Sequence, residues 1–194
     1  MRLHHLHPDE LDADQQALYD LLTDDGRMVQ ASTDRDGARM LDDQGRMEGP
    51  FNAWLTHADI GWAVQEASRR LRFEGVLTLR IREIVILIVA ASQQSDYEWA
   101  AHAPIAGTLG ITDSQIATIA AGESAEFDDS AEAAAAGLAY ALVTIGDADD
   151  DTYERARLAL GDTGVIEVST TVGFYQLIAQ QLRLFRVPAP AGPW

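Results

Sequence analysis

The segment that most limits how this chain folds is Ile84–Ala91, eight consecutive apolar residues. Thr78 stands ahead of it as a candidate N-cap. The spacing therefore predicts a helix over 78–93 that is apolar on every side after Glu83. Such a helix is stable in water only when other elements cover it. A run of eight residues is also far short of the ~20 needed to span a bilayer. The rest of the chain supplies the cover as helices. Residues 9–22 place Leu11, Leu18, Leu21 and Leu22 at helical spacing behind early carboxylates. Further helices are expected over 59–72, from Asp96 as cap to Leu109, and from the capping box Thr112-Asp113-Ser114-Gln115 to Gly122. Three more fall at 130–145, 149–160 and 164–185, the last with apolar residues on more than one side, which favours burial against a second subunit. Residues 24–49 read as a long polar loop with one turn of helix, and Pro188-Ala189-Pro190 as a coil tail. No strand alternation and no solenoid repeat interrupts the pattern. The expected fold class is all-α, a single domain of about seven or eight helices.

Charge and cysteine usage narrow the function. The 194 residues carry 31 Asp and Glu against 14 basic residues, a net charge of −17. That balance argues against nucleic acid and anionic membrane as partners, since both require Lys or Arg to neutralise phosphate. With no cysteine there is no disulfide, no CxxC redox centre, no thiolate nucleophile and no Cys zinc site. The first residues contain no apolar stretch of secretory type, and a cytoplasmic location is expected on that ground.

All 14 basic residues are arginine, and their distribution is uneven. Arg69, Arg70, Arg72, Arg80 and Arg82 fall within 14 residues, whereas none occurs from Glu83 to Glu154, where 14 carboxylates lie. One reading is a solvated acidic surface beside a salt-bridged helix pair. The other is that some of these arginines hold an anionic ligand, which would need local positive charge within so acidic a chain.

Three ionisable residues sit on faces expected to be buried. Glu83 shares a helix stripe with Leu79, Leu87 and Ala90; Glu98 and His102 are spaced i,i+4 on a stripe that continues through Ile105 to Leu109. Carboxylates are almost never fully buried without a partner. Two of them with an imidazole suggest a polar pocket whose groups titrate near neutral pH. Two other readings stand beside it: a buried network that only ties two helices together, and a metal site with Glu83, Glu98 and His102 as ligands.

The run Leu79-x-x-Arg82-Glu83-x-x-x-Leu87, then Tyr97-Glu98-Trp99-x-x-His102, then Ala106-x-x-x-Gly110-Ile111-Thr112 and Ile116, resembles the carboxymuconolactone decarboxylase family, within the alkylhydroperoxidase D-like superfamily. The resemblance covers roughly residues 50–122, with 1–48 as an N-terminal helix and loop and 125–187 as further helices of one domain over 1–194. It implies a helical bundle around a central helical hairpin, assembled as a homotrimer or a hexamer of trimers, with a site near the subunit interface. In the peroxidase branch a CxxCxxxH motif supplies the thiols and an earlier Glu relays protons. That pattern falls here on Ser95, Glu98 and His102, with Glu83 as the relay. A serine hydroxyl cannot form a sulfenic acid, so this chain is not expected to be a thiol peroxidase.

What remains resembles the branch that decarboxylates without a cofactor. The resemblance implies His102 as general acid, Glu98 orienting its imidazole and Glu83 relaying the proton, and no metal. The implied ligand is a small molecule, a carboxylated lactone or an aromatic-catabolism intermediate, bound by Arg80 or Arg82. The Gly49-Pro50-Phe51-Asn52 segment resembles a pocket-lining loop, so Phe51, Asn52, Tyr97 and Trp99 join the expected binding residues, with Trp54 and Trp62 as further walls. Pro104 is expected to bend the His102 helix or cost it a hydrogen bond. A non-catalytic binding or structural member of the family is the alternative.

Overall fold

The computed structural model describes residues 1–24 and 40–189. Most of the polar loop expected at 24–49 and the end of the tail lie outside them. A short 3-10 turn, Pro8–Glu10, precedes α1 (Ala13–Asp24), and the chain then runs through α2 (Phe51–Thr56), α3 (Ala58–Phe73), α4 (Leu79–Ser92) and α5 (Asp96–Thr108). It finishes with α6 (Asp113–Ala120), α7 (Ser130–Ile145) and α8 (Asp150–Phe185). Among the described residues there is no strand, only an isolated bridge between Leu41 and Met47. The fold is all-α.

Local chemistry sets the boundaries. The Thr78 hydroxyl accepts from the Ile81 N–H at 3.2 Å, and the Thr112–Gln115 capping box opens α6 as its sequence suggests. The expected cap Asp96 is corrected: Ser95 is the N-cap of α5 and accepts from the Glu98 N–H. The two helices expected at 149–160 and 164–185 are joined into one element that breaks at Gly161, where φ is 70° and ψ 170°. A residue with a Cβ is strained there, which is why the junction is glycine. α5 continues across Pro104, whose missing N–H leaves the Ala100 carbonyl without its usual donor.

α4 is the axis of the molecule. Ile84 through Ala90 are all buried, enclosed by α5, α6, α7 and the second half of α8. Loop closure between α4 and α5 takes only three residues, which sets the two helices as a hairpin. A second cluster forms from Leu18, Leu22, Met47, Trp54 and Leu55 against Ile178 and Leu182 at the end of α8. The apolar faces of α8 are covered in part within the chain: Val168, Val172 and Tyr175 by the α4 core, Ile178 and Leu182 by the N-terminal cluster, while Ile166, Leu177 and Leu184 stay exposed. No helix among the described residues is long and apolar enough to cross a membrane.

The two clusters meet where the loop before α2 passes over α5. Gly49 has φ of +63°, and a Cβ on it would collide with the phenol of Tyr97. Gly49→Ala is therefore expected to cost about 1–3 kcal/mol, from backbone strain and displacement of a packed ring. Thermal unfolding monitored by circular dichroism would read the loss, and an unchanged midpoint would remove the contact from the fold's determinants.

Candidate active site

The α4–α5 hairpin brings Glu83 and His102 together across 19 residues of sequence. Glu83 Oε2 lies 2.6 Å from His102 Nδ1, both side chains being buried. Glu98, one turn before His102 on α5, places its Oε2 3.5 Å from the other ring nitrogen, Nε2. The two carboxylates therefore occupy opposite edges of one imidazole. A single cation cannot bond to both ring edges, and among the described residues no group of three or more acidic or histidine side chains is arranged to hold a metal.

The environment drives the two carboxyls apart. Burial raises Glu83, but the hydrogen bond and charge of His102, with Arg82 and Arg72 behind them, outweigh it and hold Glu83 below the usual carboxylate range. Glu98 is also buried, and its single imidazole contact is too long for a strong hydrogen bond. Burial, reinforced by the charge of Glu83, pushes Glu98 up against the smaller opposing effects of His102 and Arg72. Glu98, expected to orient the imidazole, makes the longer of the two carboxylate contacts with it. Glu83 holds Nδ1 and so fixes the ring, while Glu98 faces Nε2 with its proton favoured.

Tyr175 of α8 closes one side. Its ring meets His102 edge to face, with centroids 5.4 Å apart and an interplanar angle of 87°. Burial raises the phenol, which stays protonated, and its hydroxyl makes no hydrogen bond among the described residues. Glu167, two turns earlier on α8, accepts the N–H groups of Val76 at 2.5 Å and Leu77 at 3.3 Å. It thereby pins the α3–α4 loop. A Cβ on Gly75 would run into the Glu167 carboxylate, so a larger residue there would displace that side chain.

The expected binding residues divide. Arg82 donates to the carbonyls of Leu71 at 3.3 Å and Arg72 at 2.5 Å, so it caps the end of α3, and among the described residues it pairs with no carboxylate. Arg80 bonds to Glu132 at 2.6 Å and to the Leu109 carbonyl at 3.1 Å, tying α4 to α7 and the end of α5. Both guanidinium groups thus have structural partners, through Nη1 alone in Arg82 and through Nε and Nη1 in Arg80. Asn52 is spent on the N-terminal segment, accepting from the Leu6 N–H at 3.0 Å and donating to the His4 carbonyl at 2.9 Å. Phe51 packs edge-on to Trp54 in the second cluster, away from the imidazole. Tyr97 turns its phenol toward Gly49, Trp99 packs on the α4 core, and Trp62 is largely exposed. The N-terminal histidines are engaged locally: His4 with Glu10, His5 with the Met47 carbonyl, and His7 as the cap of the 3-10 turn.

Sequence reasoning missed Tyr175, Glu167 and the particular place of Arg72. A signal for the first two existed: Glu167, Thr171 and Tyr175 recur every four residues as a polar stripe among Val168, Val172 and Ile178 on a buried helix.

Residues 58–141 match a family model described as the carboxymuconolactone decarboxylase family. No curated protein sequence matches the chain significantly. An uncharacterized peroxidase-related protein from Ralstonia eutropha, described as an alkylhydroperoxidase AhpD core, is similar over 98% of this chain and 92% of its own, with a TM-score of 0.72 at 15% identity. A protein of unknown function from Agrobacterium tumefaciens, described as a putative antioxidant defence protein AhpD, is similar over 75% of this chain and all of its own (100%), with a TM-score of 0.64 at 17% identity. A cysteine-to-alanine variant of the debrominase Bmp8, in complex with 2,3,4-tribromopyrrole, covers 75% of this chain and 78% of its own, with a TM-score of 0.63 at 12% identity. These likenesses show the fold. The fold is an AhpD-like helical one, and the stretch 58–141 within it is similar to the carboxymuconolactone decarboxylase family.

Proposed function

We propose that the chain is an acid–base enzyme that acts without a cofactor on a small carboxylated ring compound, decarboxylating it or shifting its lactone double bond. The observation that carries this reading is the split environment of one buried imidazole. Glu83 fixes Nδ1 at 2.6 Å, leaving Nε2 and the Glu98 carboxyl, 3.5 Å apart, to share one transferable proton. A substrate seated beside Nε2 loses CO2 as its C–C bond breaks, and the electron pair moves into the conjugated carbonyl. The resulting enolate carbon takes the proton from the Nε2–Glu98 pair, which is then refilled from solvent. General acid help of this kind contributes on the order of 10²–10⁴ in rate.

The antioxidant and peroxidase descriptions of the structural neighbours do not carry over, because the sequence contains no cysteine to oxidise. The assembly implied by the resemblance belongs to the same reading, as does a cytoplasmic location. Phe73, Val76 and Leu79 are exposed at the α3–α4 corner beside the site, and a second subunit would cover them. Sedimentation is expected to give a trimer or hexamer, and a monomer at micromolar concentration would end that part of the proposal.

The deciding experiment follows CO2 release and ultraviolet absorbance of carboxylated unsaturated lactones with the native protein, His102→Ala and Glu98→Gln. Turnover by the native protein and loss in both variants supports the reading. Full activity in both, or no lactone acid consumed by the native protein, overturns it in favour of a structural network.

A further inference from the structure

Between α7 and the first half of α8 lies a groove of about 620 Å³. No residue of the acid–base group lines it. Its walls are stripes at helical spacing: Ala133, Ala134 and Gly137 on α7, and Thr152, Arg155 and Leu158 on α8. The inner faces of the same helices are spent on the core, through Ala135, Ala136, Leu138, Ala139 and Ala156. The grooved outer surface has no part in that packing. Small side chains keep it open. A Cβ on Gly137 would meet no atom within 4 Å, and Leu158 is 72% exposed. From Thr152 to Leu158 the helix rises about 9 Å, the reach of a medium-length alkyl chain.

Among the described residues, Arg155 is the charged side chain in this lining. Its guanidinium donates through one nitrogen to the Thr152 hydroxyl at 3.0 Å, and among those residues it forms no ion pair. Arginines close to it are paired: Arg157 with Glu154 at 2.6 Å on the same helix, and Arg80 with Glu132 of α7 at 2.6 Å. The acids that open the two helices are committed as well. Asp129 accepts from the Ala131 and Glu132 N–H groups. Asp149, which feels the charge of Arg155, accepts from the Thr152 N–H at 2.7 Å. Arg155 is thus left with unspent donors beside an apolar wall. Such a groove complements a hydrocarbon chain that ends in an anion. A wholly polar anion would gain little in a chain of net −17, whereas burial of methylenes supplies the attraction that the overall charge withholds.

We propose that this groove binds a medium-chain aliphatic carboxylate, with the alkyl chain along Ala133, Ala134, Gly137 and Leu158 and the carboxylate on Arg155. The Thr152 hydroxyl, accepting from the same guanidinium, holds it in place. A guanidinium meets both oxygens of a carboxylate at once, so the acid is preferred to an alcohol of equal length. The site shares no residue with the acid–base centre, and either reading stands if the other falls.

The test is calorimetric titration of the full chain with hexanoate, octanoate, octanol and octylamine. Octanoate is expected to bind with a Kd of about 0.1–1 mM, each methylene added from hexanoate to octanoate tightening binding about two- to fourfold. Arg155→Gln should weaken octanoate about tenfold and leave octanol unchanged, since it removes the charge and keeps the apolar walls. Gly137→Phe fills the groove, so neither probe should bind that variant. A side chain at 137 starts in open space, and Gly137→Phe is therefore expected to keep the native melting temperature. Should it unfold, Arg155→Gln decides alone. No binding of octanoate at millimolar concentration overturns the proposal. So does equal affinity of octanoate for the native protein and Arg155→Gln, unchanged binding in a folded Gly137→Phe, or octylamine binding as tightly as octanoate. Sedimentation tests the other occupant. If Gly137→Phe breaks a larger native assembly into smaller species, the groove is a contact between copies of this chain and the proposal falls.

Discussion

Replacing His102 with alanine is expected to lower the melting temperature by roughly 6–20 °C as well as to abolish turnover. The stability loss comes from Glu83 more than from the imidazole. Glu83 is 4% exposed, and among the described residues its carboxylate hydrogen-bonds to His102 Nδ1 alone. Removing the histidine leaves a carboxylate in the protein interior with only the charges of Arg82 and Arg72 to balance it. Breaking a buried pair from one side costs about 3–5 kcal/mol, and in a chain of this length each kcal/mol moves the midpoint by about 2–4 °C.

Two features make that expectation specific. First, Glu83→Leu combined with His102→Leu should recover most of the loss while remaining inactive, since no charge is then buried unpaired. Second, the effect depends on pH with a definite sign. Glu83 is held below the usual carboxylate range, so the pair's contribution is full above the unfolded value of ~4.3 and disappears as pH falls through the folded one. In His102→Ala burial raises Glu83, which then protonates early and loses its penalty. The gap between native and variant midpoints must therefore close on acidification. Calorimetric scans from pH 4 upward would show it; a gap that widens toward low pH would contradict the assignment.

The parts of this arrangement that sequence carries are those with short-range causes. The unbroken apolar run of α4 forces burial, and the i,i+4 spacing of Glu98 and His102 puts both on one helix face. Spacing could not say which carboxylate holds the ring. That depends on how α4 and α5 pack, and the hairpin brings Glu83 to Nδ1 while Glu98, although nearer in sequence, is held at 3.5 Å from Nε2. The arginines were opaque for a related reason. Arg80 finds its carboxylate 52 residues away, and Arg82 bonds to main-chain carbonyls, which leave no trace in side-chain pattern. Asn52 misled because a loop that resembles a pocket wall here clasps the first residues of the chain. Two separate intrachain clusters take different faces of α8 and account for part of its multi-sided apolar pattern, with Ile166, Leu177 and Leu184 left exposed.

The second carboxylate on the imidazole should behave in the opposite way to the first. Glu98→Gln is expected to raise the melting temperature while reducing turnover by on the order of 10²–10⁴. Glu98 is buried, and burial pushes its carboxyl above the usual range, so the folded protein holds that proton more tightly than the unfolded chain does. By linkage, stability then falls as pH rises from the unfolded value of ~4.3 to the folded one, because the unfolded state binds fewer protons over that interval. Above it the penalty is constant. Glutamine keeps the shape and removes the ionisation, so its benefit should be near zero at pH 4 and reach its plateau at alkaline pH. There, relief of a poorly compensated buried charge is worth about 1–3 kcal/mol, or roughly 2–12 °C. A variant less stable than the native protein across the whole pH range would show that Glu98 serves the fold as an anion. A stabilised but inactive variant would show instead that the chain retains a destabilising carboxyl because its proton is used, with the opposite sign at Glu83 marking the two sides of one relay.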